Sequence, residues 1–285
     1  MSTIGIEVSR KTRRFICAGL LVLSSANPGL AQAGPWIPAK GHGVVKPMLR
    51  YFSANNAFSS TKFGTTTYPS SQQRETQFRV TGTQGIGGRL SVEYDLRAGA
   101  LQKTRHHAGQ SITNRSSGLE DQEIGLNYGL RQSASFADSI ALNVVIPTGS
   151  STRVPALGAG KAAIEPDYQI GIDRGPMFAT LLVGSRIFTG GGAIQLRSSI
   201  NVGYRVTPRF RLGGTMFYVR TVQRQSAITT YPGEIYNLLR LGVRMEYRPE
   251  GKFSQWRPFL AYEDSVAGQG IHAGKRIVLG LSVHY

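Results

Sequence analysis

Apolar and polar residues alternate with a period of two along much of this chain. Segment 194–206 shows the pattern most clearly. Its apolar face consists of Ile194, Leu196, Ser198, Ile200, Val202, Tyr204 and Val206. The positions between them are polar, charged or glycine. Because alternate side chains of a β-strand point to opposite faces, this segment is predicted to be a strand with one apolar and one polar side.

The same alternation recurs in twelve segments, which predict an all-β fold. The predicted strands are 43–53, 74–84, 89–98, 119–130, 138–147, 167–174, 177–188, 194–206, 209–221, 236–248, 256–263 and 275–285. Their lengths suit tilted membrane-spanning strands of about 9–11 residues. No stretch after the N-terminal region is apolar for about 18 residues, so spanning helices are excluded there. We therefore predict a transmembrane antiparallel up-and-down β-barrel of about 12 strands.

The predicted connections alternate between long and short. Long loops are predicted at 54–73, 99–118, 148–166, 222–235 and 264–274. Outer-membrane barrels have long outer loops and short periplasmic turns, and an even strand number places both termini in the periplasm. On this topology one aromatic belt lies at the periplasmic rim: Tyr128, Tyr204, Phe210, Tyr247, Trp256 and Tyr285. A second belt lies near the outer rim: Tyr51, Tyr168, Tyr218 and Tyr262.

The N-terminal region has the layout of a secretory signal peptide. Basic residues from Arg10 to Arg14 precede an apolar run from Phe15 to Leu23, and small residues end the region at Ala33. This layout predicts a signal peptide at 1–33 and an outer-membrane β-barrel at 34–285. The single cysteine, Cys17, falls within the signal peptide, so the mature chain has neither a disulfide nor a thiolate metal site.

Composition agrees with a β-protein but leaves one alternative open. The chain has 35 Gly, 12 Tyr and 12 Phe, which weaken helices or favour strands. A soluble β-sandwich would share this composition. It would have to expose or stack many apolar faces, and it does not predict aromatic residues at strand ends.

The polar face of the predicted strands is rich in arginine. The predicted pore-lining residues are Arg97, Arg186, Arg197, Arg205, Arg211, Arg240 and Arg244. The whole chain has a net charge of +17. Two interpretations remain open: the arginines form a basic passage that favours anions, or they pair with carboxylates and brace the wall.

Other chemistry is weakly indicated. His106, His107 and Ser111 share one predicted loop, which does not amount to a catalytic arrangement. Glu120, Asp121 and Glu123 are interpreted as a solvated strand start rather than a cation site. We therefore predict no enzymatic activity, no cofactor and no bound metal. Nucleic-acid binding is not expected, because the basic residues lie on one strand face rather than on an exposed patch with stacking aromatic rings.

Two stretches resemble a known family. Residues 118–130 contain Gly118-Leu119-Glu120-Asp121, and the strand 140–146 leads into Pro147-Thr148-Gly149-Ser150. This pattern resembles the outer-membrane channel family of the meta-pathway of phenol degradation. The resemblance implies a barrel that passes small, often hydrophobic, organic molecules. The chain departs from the family pattern at Glu120 and Ser150, which leaves the substrate open.

These observations predict a bacterial outer-membrane channel or facilitator for passive transport of small organic solutes. The alternative is a non-conducting barrel that supports envelope assembly or exopolysaccharide export. The expected partners are outer-membrane lipid, lipopolysaccharide and small solutes. The C-terminal strand, 277–285, alternates and ends in Tyr285, which resembles the signal read by the barrel-assembly machinery.

Overall fold

The computed structural model describes residues 34–107, 110–190, 192–223 and 235–285. The predicted signal peptide, 1–33, lies outside the described residues. No helix in the described ranges combines the length and the apolar character needed to cross a membrane.

The described chain consists almost entirely of antiparallel strands. The strands are β1 (Gly43–Phe58), β2 (Thr67–Gly87), β3 (Leu90–His107), β4 (Gln110–Leu119), β5 (Gln122–Gln132), β6 (Phe136–Ile146), β7 (Ala163–Arg174), β8 (Met177–Phe188), β9 (Ile194–Arg205), β10 (Phe210–Gln223), β11 (Asn237–Tyr247), β12 (Trp256–Gln269) and β13 (His272–His284). One short 3₁₀ turn, Gly251–Phe253, connects β11 to β12.

Twelve of these strands close into a barrel, and β4 is an additional strand. Neighbouring barrel strands pair in chain order, and β1 closes the ring by pairing with both β2 and β13. Strand β3 is shared between two neighbours. Its residues 90–95 pair with β5, whereas its residues 98–107 pair with β4. The predicted all-β antiparallel barrel is therefore confirmed.

The prediction of a long loop at 99–118 is wrong. This stretch forms the end of β3 and most of β4, paired from Ala98↔Leu119 to His107↔Gln110. Strands β1, β2 and β12 also extend into predicted loops. The alternation pattern detects a strand only where one face is apolar, and 99–118 is mostly polar on both faces. The hairpin is instead held by backbone hydrogen bonding, which does not depend on side-chain polarity.

The outward face of the barrel is a continuous apolar surface. Leu49, Leu126, Leu142, Val243 and Leu279 are each about half exposed or more, as are many others in alternate positions. A soluble protein buries such residues, and exposed apolar patches on soluble monomers rarely exceed a few hundred Å². The interior is mainly polar: its fully buried side chains include Arg257, Gln169, Gln195 and Asn127.

The two rims differ. At the short-turn end, connections are 88–89, 133–135, 175–176, 206–209 and 248–255, and the chain terminates there after β13. The long-loop end carries the β3–β4 hairpin and the connection 147–162. The aromatic residues predicted for the periplasmic rim lie near the short-turn end; Phe210 and Tyr247 pack with ring centroids 5.0 Å apart.

The predicted position of Tyr168 near the outer rim is wrong. Its hydroxyl donates to Asp138 at 2.8 Å, close to the 133–135 turn at the opposite end. Strand β7 begins at Ala163, four residues before the predicted start, which moves Tyr168 away from the long-loop rim.

Candidate channel through the barrel

The barrel interior holds a polar cavity of about 310 Å³. Strands from all sides of the barrel contribute to its lining. The lining includes Lys46, Arg50, Glu93, Asp167, Arg197 and Arg244. Gly34 and Pro35, at the start of the described chain, also line this cavity.

At the short-turn end the N-terminal segment, residues 34–42, enters the interior with residues 34–38, whereas residues 39–42 are exposed. Gln132 fastens it: the side-chain amide donates to the Pro35 carbonyl oxygen at 2.7 Å and accepts from the Ile37 N–H at 3.0 Å. The Trp36 indole N–H donates to the Ser133 carbonyl oxygen at 3.0 Å. A Cβ at Gly171 would lie 2.3 Å from the Trp36 ring, so only glycine at 171 leaves room for it. The N-terminal segment therefore narrows this end of the barrel.

At the long-loop end the connection 147–162, here called the inward loop, folds over the barrel. Asp121 anchors it by accepting the backbone N–H of Gly149 at 3.1 Å and of Ala159 at 2.8 Å. Ala159 packs against the inward side chains of Val145, Ala163 and Phe188. Burial raises the pKa of the Asp121 carboxyl, and the two backbone N–H groups oppose that rise. The inward loop thus covers part of the barrel opening at the long-loop end.

One wall of the interior carries a continuous ion-pair network across β2, β3, β5, β7, β8 and β9. In order of contact its members are Arg79, Asp95, Arg97, Glu123, Arg186, Glu165 and Arg197. Arg97 binds Glu123 at 2.8 Å, and Arg186 binds Glu165 at 2.5 Å. Each of these arginines has a carboxylate partner, so the network is largely neutral and braces neighbouring strands.

The opposite wall, formed by β1 and β10–β13, has an excess of positive charge and is here called the basic wall. Its inward cations are Lys46, Arg50, Arg211, Arg240, Arg244, Arg257 and Arg276, and its carboxylates are Glu246 and Glu263. Glu246 is shared by Arg244 at 2.9 Å and Arg211 at 3.5 Å. Glu263 is shared by Arg276 at 3.1 Å and Arg240 at 3.9 Å.

Three cations of the basic wall form no ion pair with another described residue: Lys46, Arg50 and Arg257. Lys46 is 3% exposed and Arg257 is 2% exposed. The Nε and Nη1 atoms of Arg257 have no hydrogen-bond partner within the described part of the chain. Arg244 stacks on Phe259 with its guanidinium carbon 3.7 Å from the ring centroid. The basic wall therefore presents positive charge that carboxylates do not balance.

The predicted pore-lining arginines divide between these environments. Arg97, Arg197 and Arg244 line the cavity. Arg186 belongs to the ion-pair network, and Arg205 binds Asp173 at 2.6 Å near the short-turn end. Arg211 and Arg240 lie on the basic wall with shared carboxylates. Each of the two sequence-based interpretations therefore corresponds to one wall. The arginines of the network wall pair with carboxylates, whereas the cations of the basic wall outnumber its carboxylates.

The prediction omitted Lys46 and Arg50, both in the cavity lining. On the inward face of β1 they alternate with the apolar residues Val44, Met48 and Phe52. This face therefore does not stand out as polar in the sequence pattern. The interpretation of the acidic residues near 120 as a solvated strand start is wrong for two of them. Asp121 anchors the inward loop and Glu123 belongs to the network. Within the described ranges no cluster of residues could hold a metal ion.

Comparison with known proteins gives a likeness of fold. No family model and no curated protein matches the sequence. The COG4313 outer membrane channel from Pseudomonas putida F1 superposes with a TM-score of 0.68 at 11% identity, covering 90% of this chain and 100% of that one. The NanC porin superposes with a TM-score of 0.53 at 9% identity, covering 84% and 98%. The chain therefore has the fold of outer-membrane β-barrel channels, and its resemblance to the phenol-degradation family stays a prediction.

Proposed function

We propose that this protein is a bacterial outer-membrane channel or facilitator for passive transport of small organic solutes, and that it favours anionic ones. The observation that carries the proposal is the polar cavity with its basic wall, enclosed by a barrel with an apolar exterior. The apolar exterior faces outer-membrane lipid and lipopolysaccharide, and β13 is the strand recognised by the barrel-assembly machinery. Of the two similar structures, one is described as an outer membrane channel and the other as a porin, which supports a channel role.

The charge distribution supports the anion preference. Guanidinium groups keep their charge at any physiological pH. On the network wall, carboxylates offset these charges, whereas the basic wall has seven cations and two carboxylates. A cavity with low-dielectric walls focuses such a field and raises the local concentration of anions. Carboxylated organic solutes fit this field better than cationic ones.

The dimensions support small solutes. The cavity of about 310 Å³ lies at the lower end of volumes that bind small molecules. The N-terminal segment narrows one end of the cavity, and the inward loop covers part of the barrel opening at the long-loop end. A solute larger than a simple organic acid would require one of them to move.

The same narrowing favours a second candidate function. If both segments stay in place, the barrel does not conduct and serves envelope assembly or exopolysaccharide export as a structural component. Conductance distinguishes the two candidates directly.

The test is reversal potential in a planar bilayer under a salt gradient. It must be done at low salt, because about 1 M salt shortens the screening length to about 3 Å. The protein should conduct with anion preference. Replacing Arg50→Gln together with Arg244→Gln should shift that preference toward cations. The control Arg220→Gln removes an exposed charge from β10 outside the barrel and should change nothing. Unchanged selectivity in the double variant contradicts the anion preference, and absence of conductance supports the second candidate.

A further inference from the structure

Two buried carboxylates face the cavity without an ion-pair partner among the described residues. Glu93 on β3 and Asp167 on β7 are each 6% exposed. Glu93 accepts the side-chain amide of Asn127 at 2.9 Å, and Asp167 accepts that of Asn143 at 3.0 Å. Asp167 Oδ1 has no hydrogen-bond partner within the described ranges. A buried carboxylate without a counter-ion is costly, so this pair calls for a cation.

The neighbouring charges do not supply that cation. Lys46 on β1 acts on Glu93 from beyond ion-pair distance. Arg197 on β9 attracts Asp167, but its guanidinium is bound to Glu165. Glu165 and Glu93 themselves add negative charge around Asp167. Among the described residues, no cation therefore lies within ion-pair distance of Glu93 or Asp167.

The N-terminal segment reaches the hydrogen-bond partner of Glu93 and enters the cavity that Asp167 also lines. The amide nitrogen of Asn127 that binds Glu93 also donates to the Gly34 carbonyl oxygen at 3.3 Å. Gly34 and Glu93 are thus held by one donor atom. Gly34 and Pro35 line the same cavity as Glu93 and Asp167. Gly34 is also the first residue after the predicted signal-peptide cleavage site.

We propose that cleavage between Ala33 and Gly34 creates an α-ammonium group that becomes the counter-ion of Glu93 and Asp167. In the cleavage, water breaks the Ala33–Gly34 amide bond. Ala33 takes the hydroxyl group as a carboxyl, and the Gly34 nitrogen takes a proton and then a second one from solvent. Before cleavage this nitrogen is a neutral amide. Processing thus completes an internal ion pair that fastens the N-terminal segment in the short-turn end.

This inference rests on the predicted cleavage and is independent of conduction. Its first test is the intact mass of the protein purified from outer membranes, which should correspond to a chain beginning at Gly34. A chain that begins elsewhere places no ammonium group beside Glu93 and overturns the proposal.

The second test separates the ion pair from simple burial of the segment. Two residues, Gly-Ser, are inserted between Ala33 and Gly34, which displaces the new ammonium group from the carboxylates. The thermal unfolding midpoint is measured with and without the insertion, once in the parent protein and once in the double variant Glu93→Gln/Asp167→Asn. The insertion should lower the midpoint by a few degrees in the parent and much less in the neutralised background, because interacting groups are not additive.

Three further variants keep this test decisive. Glu250→Gln removes an exposed carboxylate of the β11–β12 turn, and in that background the insertion should cost as much as in the parent. The single variants Glu93→Gln and Asp167→Asn each retain one carboxylate and replace the double variant if it does not fold. An insertion that costs the same in every background shows that burial alone holds the segment, and the proposal fails.

Discussion

Arg97 of β3 binds Glu123 of β5 at 2.8 Å, at the point where β3 changes partner. Residues 90–95 of β3 pair with β5, and residues 98–107 pair with β4. The backbone ladder between β3 and β5 ends there, so this ion pair continues the connection through side chains. Asp95 also binds Arg97, and Glu123 extends the contact to Arg186. The network therefore supports the wall where its backbone pairing is interrupted.

The network predicts a stability effect at Glu123. Glu123→Gln keeps the side-chain size but removes the charge shared by Arg97 and Arg186. Breaking one member of a buried ion pair leaves its partner uncompensated, and we expect a loss of about 3 kcal/mol in the free energy of unfolding. Urea unfolding in detergent measures it. The surface pair of Arg209 with Glu250 provides the control, because Glu250→Gln should cost about 0–1 kcal/mol. Equal losses in both variants contradict a bracing role.

The two faces of the wall predict opposite tolerance to charge. Leu241 on β11 points outward and is 44% exposed, whereas Ser199 on β9 lines the cavity. Leu241→Arg should destabilise the folded barrel by about 2–4 kcal/mol in a bilayer, because it places a charge in hydrocarbon. Ser199→Arg should cost less. Heat-modifiable mobility on gels reports the folded fraction. A Ser199→Arg variant that folds as poorly as Leu241→Arg would refute the assignment of faces.

The anchor of the inward loop predicts a conductance effect. Asp121→Ala removes both acceptor oxygens for the Gly149 and Ala159 N–H groups. The inward loop should then move away from the long-loop opening of the barrel more often, and single-channel conductance should rise. Ser150→Ala is the matched control, since Ser150 lies in the same loop and contacts only its neighbour Thr152 by a side-chain hydrogen bond in the described structure. Conductance that is unchanged by Asp121→Ala would mean that the loop does not limit flow.

The two rims predict membrane orientation. Cysteine at Thr66, an exposed residue of the β1–β2 connection, should react with an impermeant maleimide on intact cells. Cysteine at Lys252, exposed in the β11–β12 turn, should react only after the outer membrane is opened. Cys17 does not interfere if the signal peptide is removed. Labelling of the Lys252 position alone would invert the topology.

Much of the barrel is predictable from the chain because alternation is a local property. Strands β8 and β9 begin where predicted, and the predicted and observed ends differ by at most one residue. Wherever lipid contacts one face and the interior the other, the apolar side must recur at every second position. The polar paired segments 98–107 and 110–119 have no such requirement, and they carry no local signal.

For the candidate site, the sequence predicts which arginines face inward but not which carboxylates they bind. Strand parity places Arg97, Arg197 and Arg244 on the inward face, and they line the cavity. Parity does not indicate which carboxylates approach them. Arg197 meets Glu165 from a strand two positions away around the barrel, across β8, and that contact depends on register and closure.

The sequence by itself determined the alternation, the twelve barrel strands and the inward position of the arginines, because each follows from neighbouring residues. The tertiary structure alone decided which arginines are neutralised and which remain in excess, since ion pairs form between strands far apart in the chain. It also brought Gly34 and Glu93 to the same Asn127 side-chain amide and placed the inward loop over the long-loop end of the barrel. Those contacts exist only once the sheet has closed and created an interior for both segments to enter.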